Sequence, residues 1–163
     1  STGLIEEVLL SISHCAGLGG TTVRKLIVAD GVKLREKPKF RSGVVDDVAK
    51  RRYDHYLHRV QHLTSRPESP LYTAELICLE ARHGFAHALK RGLRRVVTPF
   101  ILVAQHDRFF VRVVPLRPVL EAIRVSSDVR YVGFPTRTTP RHAVSALRYN
   151  IKLERRWAGR DLY

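Results

Sequence analysis

The sequence predicts an α/β protein, a three-layer α/β/α sandwich around a mainly parallel sheet. Three observations carry this reading. Helix-like and strand-like segments alternate along the chain. The strand-like segments are short runs that are apolar on both faces, as in sheets covered by helices on each side. The 163 residues, 44% of them hydrophobic, suffice for a single domain (1–163) with a core of its own.

The first helix is read in LIEEVLLSI (4–12), where Leu4, Ile5, Val8, Leu9 and Ile12 fall at helical spacing. Ser1 or Thr2 is placed to cap it, and Glu6 and Glu7 suit its positive end. GLGGTT (17–22) reads as a loop, and the run Leu26 to Ala29 as a buried strand ending at Asp30-Gly31. Residues 33–45 are basic and carry Pro38 and Gly43, which predicts an irregular loop. From Asp46 a helix follows, with Asp46 as its cap and Val48, Ala49, Tyr53, Tyr56, Leu57, Val60 and Leu63 along one stripe. RPESP (66–70) ends it, and residues 74–81 give a second strand.

GFAHALKRGLRRV (84–96) is the next helix, with Gly92 slightly unfavourable inside it. PFILVA (99–104) is a third strand, and LRPVLEAIR (116–124) a helix with Pro118 in its first turn. A fourth strand is read at 129–134 and a closing helix at 140–157.

The formal net charge is +14, and most of the 29 basic residues are arginine. Such a surface attracts polyanions: nucleic acid, an anionic membrane or a phosphorylated ligand. No apolar run approaches the length needed to span a bilayer, so no transmembrane segment is expected. Cys15 and Cys78 are the only cysteines, lie among apolar residues, and are expected as buried free thiols. His55, His58 and His62 share one helix, and His58 and His62 lie four apart, but no acidic or cysteine third ligand stands near them, so a solvated or partly packed face is expected rather than a zinc site. No phosphate-binding Walker loop, nucleophile elbow, zinc-protease motif or paired-cysteine motif is present.

In parallel α/β sheets, ligands bind at the carboxyl ends of the strands. Two strands are expected to end on acids. Asp30 closes the first and is suited either to an Asx-type turn or to accepting hydrogen bonds from a base or ribose. Asp107 follows the third, in Gln105-His106-Asp107. It could pair with an arginine, or hold a divalent cation together with phosphate oxygens and water. His106 would add a nitrogen ligand better suited to manganese than to magnesium, and Gln105 a hydrogen-bonding group. Gly84 opens a helix whose N-terminus attracts anions, with Arg82, His87 and Lys90 close by in sequence.

Together, LIEEVLLSI, KLIVADGV, RHGFAHALKRGL and TPFILVAQHDRFF resemble the nucleotide-sugar half of a family-two-like glycosyltransferase of the GT-A fold, over roughly residues 4–135. The resemblance implies that Asp30 contacts the nucleobase. It matches Gly84 to the helix-opening glycine, Gly92-Leu93 to a glycine-hydrophobic pair, and Leu89-Lys90 to the usual Arg-Asn positions. Arg82 stands where asparagine is usual. Gln105-His106-Asp107 replaces the Asp-x-Asp motif and keeps only its last acid. The family's first strand would lie before Ser1, and no acid after Asp128 sits in a family motif for a catalytic base.

The resemblance thus implies transfer of a sugar from a nucleoside-diphosphate donor to an acceptor hydroxyl. Asp30, Arg82, Gly84, Lys90, Gln105 and His106 would bind the donor, and Asp107 would hold manganese or magnesium. Two other classes fit the residues. A basic α/β module could bind nucleic acid without catalysis, although no aromatic-rich RNA-binding strand or helix-turn-helix is visible. A nucleotidyltransferase on a similar sheet would usually want an early glycine-rich basic loop, whereas GLGG (17–20) follows the first helix.

Overall fold

The computed structural model describes residues 2–19, 23–39 and 43–134. They form α1 (Gly3–Ala16), β1 (Leu26–Ala29), β2 (Arg35–Lys39), β3 (Gly43–Val45), α2 (Asp47–Thr64), β4 (Glu75–Cys78), α3 (Phe85–Leu93) and α4 (Leu116–Val125). The chain divides into two compact units, Ser1–Arg117 and Pro118–Tyr163.

In the first unit, β1 and β4 pair in parallel, with Leu26 opposite Glu75 and Ala29 opposite Cys78. A parallel pair needs a crossover, and α2 lies within it. Successive side chains of a strand face opposite sides. Ile27 and Leu76 accordingly border the cluster of Ile5, Val60 and Leu71 that joins α1 and α2 to the sheet. Val28, the next residue, meets α3. A Cβ on Gly92 would stand 2.7 Å from Val28 Cγ2, so the glycine that weakens the helix in isolation is what allows α3 to lie against β1. Among the described residues, Leu71 and Val60 are the most enclosed side chains.

The helix boundaries follow their capping chemistry. Asp46 caps α2 as expected, its carboxylate accepting the Ala49 amide at 2.7 Å. At α1 the expectation fails for Thr2, which makes no side-chain cap bond, while Ser1 lies outside the described residues. α1 ends on Gly17, whose positive φ of 66° suits a left-handed cap.

Three expectations need correction. Residues 35–45 include an antiparallel hairpin of β2 and β3 rather than only irregular loop. Gly43 takes a φ of 58°, and Pro38, which has no amide to donate, is tolerated in a strand whose ladder is irregular. Residues 100–104 and 129–134 form no strand. A strand exists by its ladder, and among the described residues neither segment joins one. Their side chains are correspondingly open, with Ile101 and Val103 about half exposed and Tyr131 more so. The architecture observed among the described residues is therefore mixed α/β, with four helices and a two-stranded parallel sheet. Cys15 and Cys78 are both free, as expected, but Cys15 is half-buried and Cys78 is exposed at the end of β4.

In the second unit, the described residues are 118–134. They hold most of α4, an amphipathic helix with no buried residue, and an Arg124–Glu121 ion pair at 2.7 Å. The closing helix expected at 140–157 lies outside the described residues. No described helix is long and apolar enough to cross a membrane.

Candidate functional site

The carboxyl ends of β1 and β4 lie side by side, and the chain leaves both through tight turns. After β1 comes Asp30-Gly31, and after β4 comes the segment from Leu79 to Gly84. The two turns touch backbone to backbone. A Cβ on Gly31 would lie 2.6 Å from the Ala81 carbonyl oxygen and 2.8 Å from its Cα, so only glycine allows this approach.

That closeness lets Asp30 act across the gap. Its Oδ1 accepts the amides of His83 at 2.8 Å and Gly31 at 3.1 Å, and its Oδ2 accepts the Gly84 amide at 2.7 Å. The His83 imidazole stands 3.6 Å away. Burial pushes the Asp30 carboxyl up, but the three backbone amides, aided by His83, outweigh it and hold the group below the ordinary carboxylate value.

Gly84, the N-cap of α3, has φ 81° and ψ 162°, a conformation essentially reserved for glycine. The helix N-terminus expected to attract an anion has thus recruited one from its own chain. A carboxylate offers about four acceptor positions, and three are filled here, which leaves one direction on Oδ2.

Tyr53 of α2 closes the corner from another side. Its hydroxyl donates to the Asp30 carbonyl oxygen at 2.9 Å, and its ring is stacked with Tyr56, centroids 6.1 Å apart. Burial, with the nearby Tyr56, Cys78 and Asp30, pushes the Tyr53 phenol up to about 12, so it remains a donor at neutral pH. Beside these groups is an open pocket of about 360 Å³. It is bordered by Asp30, Gly31 and Lys33 after β1, by Val45, Ala49 and Tyr53 around the start of α2, and by Arg82 after β4. One carboxylate, two cations and a phenol ring therefore converge on a site with an apolar floor.

Of the residues singled out in the sequence, Asp30, Arg82 and Gly84 come together at this corner. Lys90 sits exposed in the second half of α3 and does not border the pocket. Gln105, His106 and Asp107 form an exposed turn, closed by the Arg108 amide donating to the Gln105 carbonyl at 3.1 Å, and they do not border the pocket either. Asp107 makes no ion pair among the described residues, including with Arg108. No group of three potential metal ligands occurs among the described residues, whether around Asp107 or around His55, His58 and His62. A metal at Asp107 would have one protein carboxylate and the adjacent imidazole, and would draw its remaining ligands from a bound diphosphate and water.

Sequence reasoning missed Lys33, Tyr53 and the His83 amide. Tyr53 was readable only as part of the apolar stripe of α2. His83 is 53 residues from Asp30, and only the parallel pairing of β1 with β4 brings the two together. Lys33 was hidden in a run of basic residues.

No family model, curated protein or solved structure matches this chain.

Proposed function

We propose that this chain is the donor-binding part of a glycosyltransferase, taking a nucleoside-diphosphate sugar and passing the sugar to an acceptor hydroxyl. The observation that carries this reading is the pocket at the carboxyl ends of β1 and β4. There a fixed carboxylate and a phenol ring stand beside Lys33 and Arg82. The base and ribose would lie over Tyr53, Val45 and Ala49, with a hydroxyl or ring N–H donating to the open direction on Asp30 Oδ2. The diphosphate would lie toward Lys33 and Arg82. The amides that open α3 beyond Gly84 have no intrahelical partners and are suited to the same anion.

In this reading the parallel pair of β1 and β4 belongs to a full GT-A-type sandwich, beside which the exposed turn after residues 100–104 supplies the metal end of the donor site. That turn holds Gln105, His106 and Asp107. A divalent ion entering with the diphosphate would be held by Asp107 and would stabilise the charge of the leaving group.

Calorimetric titration with uridine, guanosine and adenosine diphosphates and their glucose conjugates, with and without manganese, tests the proposal. Binding of at least one donor is expected, weakened about tenfold or more by Lys33→Ala with Arg82→Ala. Loss of the manganese dependence is expected in Asp107→Ala. A chain that binds no member of the panel under either condition overturns the reading.

A further inference from the structure

The outward face of α2 carries a feature that the donor pocket does not use. Around the helix axis, Tyr53, Tyr56, Val60 and Leu63 turn inward toward the core. The opposite arc holds Arg51, Arg52, His55, His58, Arg59 and His62, all exposed. No acid lies within that arc. The helix's own acids, Asp47 and Asp54, lie to one side of it, where Asp54 pairs with Lys50 at 3.6 Å. From Arg51 to His62 the arc runs about 17 Å along the axis at 1.5 Å per residue. It ends in a polar hollow of about 300 Å³, where Arg59 and His62 meet Arg66, Thr2 and Glu6.

A helix face that is merely solvated usually gains from opposite charges four residues apart. Asp47 and Asp54 stand four residues before Arg51 and His58 at the edge of the arc, but within it the neighbours at that spacing are Arg51 with His55, His55 with Arg59, and His58 with His62. Each adds like charge to like when the imidazoles are protonated. The arrangement carries a cost in isolation that a chain of phosphates lying along the helix would relieve. Arginine presents a planar fork suited to phosphate oxygens, and imidazole supplies a ring N–H donor in either charge state. A bilayer is the poorer fit, because a membrane-surface helix buries its apolar side in lipid, and the apolar side of α2 is already turned into the core.

We propose that the outward face of α2 binds the phosphodiester backbone of nucleic acid without regard to sequence. The proposal is independent of the donor pocket. Fluorescence anisotropy with a fluorescein-labelled, mixed-sequence 20-nucleotide single-stranded DNA tests it across a potassium chloride series. Affinity should fall linearly on a log–log plot against salt. R51Q/R52Q/R59Q, which keeps good helix formers on the face, should bind at least tenfold more weakly and with a shallower salt slope. R94Q/R112Q/R130Q removes the same charge from exposed positions elsewhere and should change affinity less than threefold. Equal losses in the two triple variants would show that only net charge matters, and would overturn the assignment. So would absence of binding at 50 mM salt, or tighter binding to phosphatidylserine vesicles than to the oligonucleotide.

Discussion

Asp30 and Asp107 look alike in the sequence: each follows an apolar run and stands where a parallel strand would reach the ligand-binding edge. The structure treats them in opposite ways. Asp30 is clasped by three amides, reinforced by the contact of Gly31 with Ala81, and closed over by Tyr53. Asp107 stands in an exposed turn closed by a backbone bond between its neighbours Arg108 and Gln105. The difference comes from what runs alongside. β1 has β4 beside it, so the end of one strand can bond to the turn after the other. Residues 100–104 have no strand beside them among the described residues, so the acid that follows them has nothing to hold.

This contrast can be broken at its stronger side first. Gly31→Val should have the largest effect, lowering stability by about 3 kcal/mol in urea titrations, because its side chain would collide with backbone that cannot step aside. Asp30→Asn should cost about 2 kcal/mol, since one acceptor oxygen becomes a donor facing amides.

The same variant tests the electrostatics of the corner. The folded-state pKa of Asp30 is depressed. Its contribution is therefore present above the unfolded value of about 3.9 and is lost as pH falls through the lower folded value. The stability difference between wild type and Asp30→Asn should shrink as pH is lowered below about 4. A difference that is constant from pH 7 to pH 2 would mean that the three bonds do not depend on the carboxylate charge.

Tyr53→Phe removes one hydroxyl donor from the corner and should cost about 1 kcal/mol by the same measurement. At the weaker side, Asp107→Ala should shift the urea midpoint by no more than about 0.5 kcal/mol of stability, the range of an exposed substitution. A larger loss would show that the turn is held after all, and would remove the contrast.

Much of the scaffold was legible because it depends on local chemistry. The four helices, the Asp46 cap, and β1 and β4 all follow from periodicity and short signals near one another in sequence. What was not legible depends on partners. PFILVA reads as a strand by composition, yet a strand needs a neighbour that composition does not supply. The β2–β3 hairpin lay inside REKPK and GVV, where basic residues and a proline obscure the pattern. At the site, Asp30, Arg82 and Gly84 were identified as three separate residues of interest. That the first bonds to the amide of the third, and that Lys33 and Tyr53 join them, is a property of the parallel pairing and of the close approach at Gly31.

The bonds from Asp30 to His83 and Gly84 span 53 and 54 residues of chain. Nothing nearby in sequence can make them early. The chain between them, which holds β2, β3 and α2, has to close into a long loop for the two turns to meet, and the entropy of that closure is lost before the carboxylate gains anything. The corner is thus a latch that engages late: it should do little to hasten folding and much to slow the chain's escape from the folded state.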